Sequence, residues 1–262
     1  MRERMGCFLL QAERYQSIVS EVNKHGFISV EDLMKNINVS RSTIRRDLLE
    51  LEQMNRLIRA RGGAISVKNG TSHEPGIEYR KGLQQDEKHR IAVAALDFIH
   101  ERDTILLDSG TTTMEVAKLL GRYNSLMVAT YDLYIAMELS SMSNISLVVA
   151  GGMLRHKYNT LVGYFAEKVI SEIHADRFFL SADAIDIDHG CMCYNIEEIS
   201  VKKSMINSAK EVILLGDHTK FETIAFINVC SLSEVDTIIT GKEIDPETLA
   251  RLQDMDIQVV LA

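Results

Sequence analysis

The sequence predicts an α/β protein in which a small helical head with a β-hairpin precedes a larger domain built on a mostly parallel sheet. Three observations carry this. Beyond residue 91, seven short apolar runs alternate with helical patterns. Residues 68–76 hold a proline, two glycines and almost nothing apolar, as a linker would. The charge also changes sign along the chain: residues 1–70 hold 12 Lys+Arg against 8 Asp+Glu, and the remainder 17 against 29. At 262 residues and 46% hydrophobic, the chain is long enough for one sizeable core and a smaller satellite.

In the head, Tyr15, Ile18, Val19 and Val22 recur at helical spacing over about 12–24, until His25-Gly26 stops the helix. Ser29 starts a second helix whose apolar stripe is Val30, Leu33, Met34 and Ile37, and Asn38-Val39 makes the turn. Ser40 caps a third helix. There Ile44, Leu48 and Leu51 share one face while Ser42, Arg45 and Arg46 point away. Leu57 to Ile65 reads as a hairpin turning at Gly62-Gly63, with arginines near its tip. Three helices followed by such a hairpin make a winged helix-turn-helix. The expected boundaries are 1–68 for the head, 69–78 for the linker and 79–262 for the second domain.

The seven runs are Ile105-Leu107, Met127-Ala129, Leu147-Val149, Phe178-Leu180, Val212-Leu215, Thr237-Ile239 and Val259-Leu261. Asp245 and Pro246 mark the start of the last helix, as cap and first helical residue.

Only the basic head suits a polyanion. No apolar run reaches the roughly 18 residues of a membrane span, and the first ten residues lack the pattern of a signal sequence, so a cytoplasmic protein is expected. Cys7, Cys191, Cys193 and Cys230 have neither zinc-site nor disulfide-framework spacing, and the eight histidines are scattered. No metal or cofactor is expected.

Two sets of residues point to chemistry. Ser40, Arg41, Ser42, Thr43, Arg45 and Arg46, with Arg59 and Arg61 of the wing, offer hydroxyls and guanidinium forks suited to phosphates and base edges. A solvated basic face or a protein-docking module is the alternative. The second set lies at the carboxyl ends of the predicted strands, where open α/β sheets bind ligands. Asp108, Ser109, Gly110, Thr111, Thr112 and Thr113 follow a strand and open a helix, so N–H groups and hydroxyls there suit a phosphate, with Lys220 supplying a cation. Plain helix capping is the competing explanation. Thr130, Tyr131, Gly151, Gly152 and Asp183 end other strands. Asp183 and Asp186 could bind sugar hydroxyls, act as an acid–base pair, or form a turn near His189-Gly190, and the sequence does not separate these.

These motifs, in this order, resemble the DeoR family of bacterial transcription regulators from about residue 12 to the C-terminus. The carrying segments are Val39-Ser40 with Thr43-Leu48, Arg61-Ala64, Leu107-Thr112, Gly151-Arg155 and Asp217-Phe221. The resemblance implies a winged helix on operator DNA and a C-terminal domain similar to sugar-phosphate isomerases and CoA transferases. It also implies repression of sugar-catabolism genes, relieved by a phosphorylated sugar. By carry-over, Ser109–Thr113 and Lys220 would hold the phosphate, and Thr130, Gly151, Gly152 and Asp183 would line the sugar end. The chain departs from the family pattern at Tyr131, where asparagine is usual, and at Ser181 and Ala184, where glycines are usual. A homodimer or homotetramer is expected, because paired half-sites multiply the affinity of one small helix. The alternative is a sugar-phosphate isomerase or deaminase carrying a DNA-binding head; a third possibility is a platform for oligomerisation alone.

Overall fold

A computed structural model describes residues 11–262 except 26, 55, 61, 67–73 and 256. Arg61, Cys7 and much of the expected linker lie outside the described residues. The chain divides into two compact units, residues 1–75 and 76–262.

The first unit contains α1 (Gln11–His25), β1 (Phe27–Ser29), α2 (Val30–Ile37), α3 (Arg41–Gln53), β2 (Leu57–Ala60) and β3 (Gly63–Ser66). Ser29 caps α2 by accepting from the Asp32 amide, and Ser40 caps α3 by accepting from that of Thr43. Between them Asn38 takes the left-handed conformation at φ 57°, which asparagine tolerates better than most residues. Ile18, Val22, Leu33, Ile44 and Leu51 fill the core. Arg14 of α1 forks onto Asp47 of α3, with Nη2 at 2.9 Å from Oδ1, tying the first helix to the third.

The wing has a third strand that the sequence reading did not anticipate. β1 pairs antiparallel with β3, which pairs with β2. The two turn glycines have different tasks: Gly62 has φ +85°, whereas a Cβ on Gly63 would lie 2.3 Å from the Ile28 carbonyl of β1.

The second unit opens with α4 (Ile77–Gly82) and α5 (Gln85–Ala95), then runs β4 (Thr104–Leu107), α6 (Thr111–Leu119), β5 (Leu126–Thr130), α7 (Leu133–Leu139) and β6 (Ile145–Val149). A hairpin follows, β7 (Met153–Arg155) and β8 (Thr160–Val162), and then α8 (Tyr164–Ser171). The remainder is β9 (Ala175–Ser181), β10 (Ala184–Asp186), β11 (Gly190–Cys193), α9 (Ile199–Ser208), β12 (Ala209–Leu215), β13 (Ile227–Cys230), β14 (Thr237–Thr240), α10 (Pro246–Gln253) and β15 (Gln258–Leu261). The seven expected strands form one parallel sheet ordered β15-β14-β12-β9-β4-β5-β6. A small antiparallel sheet, β10-β11-β13, and the β7-β8 hairpin are additions to the expected plan.

Strand alternation divides the core into two layers. Ile105, Leu107, Phe179, Ile213 and Ile239 face α5, α6 and α7, represented by Ile91, Val116 and Ile135. Leu106, Phe178, Leu180, Leu214 and Ile238 face α8, α9 and α10, represented by Ile170, Val201 and Leu252. Strands covered on both faces read as continuous apolar runs, which is why they stand out in the sequence.

Candidate functional site

On the head, Arg41, Ser42, Arg45 and Arg46 project from α3 into solvent, opposite the buried Ile44, Leu48 and Leu51. Among the described residues no carboxylate lies within ion-pair distance of Arg45 or Arg46. Arg41 and Arg59 are engaged with acidic neighbours instead, Arg41 with Glu31 at 2.7 Å and Arg59 with Glu52 at 3.6 Å. Ser40 is spent on capping and on hydroxyl contacts with Ser42 and Thr43 at 2.9 and 2.8 Å. The arrangement offers a polyanion two unopposed guanidinium groups on a helix that the Arg14–Asp47 fork holds in place.

In the second unit, the sheet order reverses between β4 and β9, and ligands bind beyond the carboxyl ends of strands at such a switch point. Asp108 follows β4 and Ser181 ends β9. Asp108 is fully buried and accepts from Tyr131 Oη at 2.7 Å, the Ser181 amide at 2.8 Å and Lys202 Nζ at 2.5 Å. Lys202, on α9, is itself buried and also donates to the Ser181 carbonyl at 3.3 Å. Burial alone would lower its pKa, but Asp108 and Glu198 outweigh that and hold it above the ordinary lysine value. Sequence reading missed Lys202, because one lysine on an amphipathic helix reads as surface.

This buried pair fixes the loop that leads into α6. Ser181 Oγ donates to the Ser109 carbonyl at 2.9 Å, and a Cβ on Gly110 would sit 2.5 Å from that same Oγ. Gly110 therefore allows the close approach of two strand ends. Thr113 Oγ1 donates to the carbonyls of Asp108 and Gly110 at 2.8 and 3.0 Å, and Ser109 Oγ donates to Asp132 at 2.7 Å. Those two hydroxyls, expected to face a phosphate, brace the loop instead. Thr112 is buried, whereas Thr111 is partly exposed. Among the described residues no side chain caps α6 through its N-cap Gly110, which leaves its first N–H groups without a side-chain acceptor.

The expected sugar end is arranged differently from the expectation. Tyr131 is buried under the loop, and its hydroxyl is held on Asp108, so the bulky phenol fills the interior. Burial, then Asp108, pushes its pKa well above the usual value, and it stays a neutral donor. Thr130 is buried too, its hydroxyl accepting from the Asp132 amide at 3.1 Å. Asp132 caps α7, accepting from Tyr134 and Ile135, and burial raises its pKa. Gly151 and Gly152 are exposed; a Cβ on Gly152 would meet the Val162 carbonyl at 2.6 Å, so packing of the β7-β8 hairpin accounts for that glycine. Asp183 pairs with Arg80 Nη1 of α4 at 3.1 Å and accepts from the Tyr194 amide. Asp186 forms the turn, accepting from the amides of Asp188 and His189 at 3.0 and 2.9 Å.

Two lysines remain near the mouth of the site. Lys220 is half-buried after β12, and among the described residues no carboxylate lies within ion-pair distance of it. The Asp217 carboxylate caps this turn by accepting from the Thr219 amide. The neighbouring His218 is tied to Glu87 of α5, amide and Nδ1 each at 2.7 Å, which brings Lys88 close. Burial pushes the Lys88 ammonium down to about 8; Asp217 opposes this, and Lys220 and Arg80 add to it. Lys88, Lys81 and Thr111 line a cleft of about 520 Å³ beside the start of α6. Of the twelve residues expected to contact the effector, only Thr111 lines that cleft.

Residues 14–69 match the DeoR-like helix-turn-helix domain family, and residues 83–242 match the DeoR C terminal sensor domain family. The chain is 35% identical over 251 residues to the helix-turn-helix transcriptional regulator YulB of Bacillus subtilis, covering 96% of each chain. It is 32% identical over 251 residues to the glycerol-3-phosphate regulon repressor of Escherichia coli, covering 96% of this chain and 99% of that one. Among solved structures, ribose 5-phosphate isomerase A of Methanocaldococcus jannaschii aligns over 52% of this chain and 54% of its own, at 17% identity and a TM-score of 0.40. With both domain families matched in order and relatives aligned over nearly their whole length, the chain belongs to the DeoR family of transcriptional regulators.

Proposed function

We propose that this protein is a cytoplasmic, homo-oligomeric repressor that holds operator DNA through α3 and its wing and releases it when a phosphorylated sugar occupies the sensor domain. The observation that carries the sensor half is that the uncapped start of α6 and Lys88 share one cleft beside the β4/β9 switch point, with Lys220 near enough to act on the Lys88 ammonium. A phosphate monoester, a dianion near neutrality, matches that charge. The glycerol-3-phosphate regulon repressor is a relative that aligns over both units, which supports a small phosphorylated metabolite as effector.

In this reading Thr111, the N–H groups at 111 and 112, Lys88 and Lys220 take the phosphate. Asp108, Ser109, Gly110 and Thr113 position the loop, and Asp183 faces the rest of the ligand. An isomerase or deaminase draws less support. General acid–base work needs a group free to reach its proton, and Asp186 is committed to a turn while Asp183 is paired with Arg80.

The test is release of the native promoter fragment by a panel of sugar phosphates and inorganic phosphate. The proposal expects one phosphate ester to weaken DNA binding and the effect to be lost in Lys220→Ala. Release by no phosphate ester, or release unchanged in Lys220→Ala, would overturn it.

A further inference from the structure

Lys88 has a second contact set that phosphate binding alone does not explain. Its ammonium donates to the carbonyls of Arg80 and Leu83 at 2.6 and 2.7 Å, at the carboxyl end of α4, where the Arg80 carbonyl also accepts from the Leu83 amide at 3.3 Å. Lysine has three donors, so one remains for a ligand in the adjoining cleft. The Arg80 side chain reaches Asp183 Oδ1 at 3.1 Å. Thus α4, the first helix after the boundary between the two units, is pinned at its backbone by Lys88 and at its side chain by Asp183.

We infer that α4 is a latch through which the effector acts on the linker, with Lys88 and Arg80 as the residues that couple the site to DNA release. A phosphate oxygen bonds an ammonium more strongly than a neutral carbonyl does. A phosphate at the start of α6 that takes the third donor therefore pulls the ammonium toward the cleft and lengthens its bonds to the Arg80 and Leu83 carbonyls. Loss of these bonds loosens α4, and the chain that leaves its amino end leads directly into the linker. The inference rests on the phosphorylated-effector reading.

Hydrogen exchange on the full-length protein tests it, with inorganic phosphate and a panel of sugar phosphates as probes. In the wild type without ligand, the amides of 80–83, which have acceptors along α4, are expected to be protected, and the bound phosphate ester to speed their exchange at least tenfold. Lys88→Met and Arg80→Met are expected to show the fast rate without ligand, and to reduce at least tenfold the ratio of operator Kd with and without ligand. Should Lys88→Met fail to fold, Asp183→Asn removes the carboxylate charge that Arg80 pairs with, leaves Lys88 in place and gives the same readout. Equal exchange over 80–83 in wild type and variants overturns the latch, whatever binds. An intact latch in a protein that binds no phosphate overturns the effector reading alone.

Discussion

Replacing Lys202 with methionine removes the cation from Asp108 while keeping most of the side-chain volume. Both groups are at most 3% exposed and their charged atoms are 2.5 Å apart, so the substitution strands a carboxylate in the interior. Breaking a buried pair by deleting one partner costs about 3–5 kcal/mol. Asp108 keeps two donors, Tyr131 Oη at 2.7 Å and the Ser181 amide at 2.8 Å, which places the loss near the lower end, about 3 kcal/mol. Asp108→Asn removes the charge that faces the ammonium, leaving it the neutral amide oxygen, the Ser181 carbonyl at 3.3 Å and the field of Glu198, and it also turns an N–H group toward the Tyr131 and Ser181 donors; a loss of similar size is expected. The assay is urea unfolding followed by circular dichroism, reading the transition with the larger m-value, since m scales with buried surface and the second unit is larger. The double variant should lose less than the sum of the singles, because neither charge is then stranded. Lys202 has a raised pKa, so its contribution is present below the unfolded value of 10.5 and fades as pH rises through the higher folded value. The gap between wild type and Lys202→Met should be flat from pH 6 to about 10. A loss below about 1 kcal/mol, or additive singles, would refute the reasoning.

Other perturbations read the remaining elements. Lys88, depressed to about 8, should make phosphate-ester affinity fall as pH rises through that value, up to tenfold per unit, in calorimetric titrations. In Lys88→Met the fall should be absent; the ester's own ionisation, near 6, lies on the other side of neutrality. The same depression means that the unfolded chain holds more protons between pH 8 and 10.5, so Lys88 should make wild-type stability rise with pH over that window. Gly110→Ala places a methyl against Ser181 and should cost about 1–3 kcal/mol in urea melts, with much of the loss recovered by Ser181→Gly in the same chain. Arg45→Ala and Arg46→Ala should each lower the slope of log affinity against log salt by about 0.9 where the arginine meets a phosphate. Where it meets a base, about 1–3 kcal/mol of operator preference should vanish with little change in slope.

The parallel sheet was legible because its inner strands are covered on both faces and all seven show as short apolar runs. The head was legible because Ser29, Ser40 and Asn38 punctuate helices with clear apolar stripes. What escaped has a physical reason in each case. β1 and β10 are three residues long, too short to display alternation, and β11 is Gly190–Cys193, buried throughout without a period. The strand-end loop drew notice for its hydroxyls, and their position was read correctly, but not their direction: Ser109 and Thr113 bond to protein atoms across the turn. Lys202 and Arg80 escaped because their partners, Asp108 and Asp183, are 94 and 103 residues distant in the chain. Tyr131 was expected among the residues that contact the effector, whereas it is an interior donor to Asp108.

The switch point also sets an order of events in time. The first half of the site, on β4, leaves the ribosome long before β9 and α9 supply Ser181 and Lys202, while the whole head precedes both. Between the end of the head at residue 75 and the start of β9 at residue 175, synthesis at roughly 5–20 residues per second takes on the order of 5–20 s. From the appearance of Asp108 until Lys202 follows 94 residues later, the nascent chain carries the whole helix-turn-helix unit and an Asp108 without its buried cation. Under the proposed function, control by a ligand is the last property the molecule acquires, and a chain truncated before Lys202 should show a head that its sensor cannot govern.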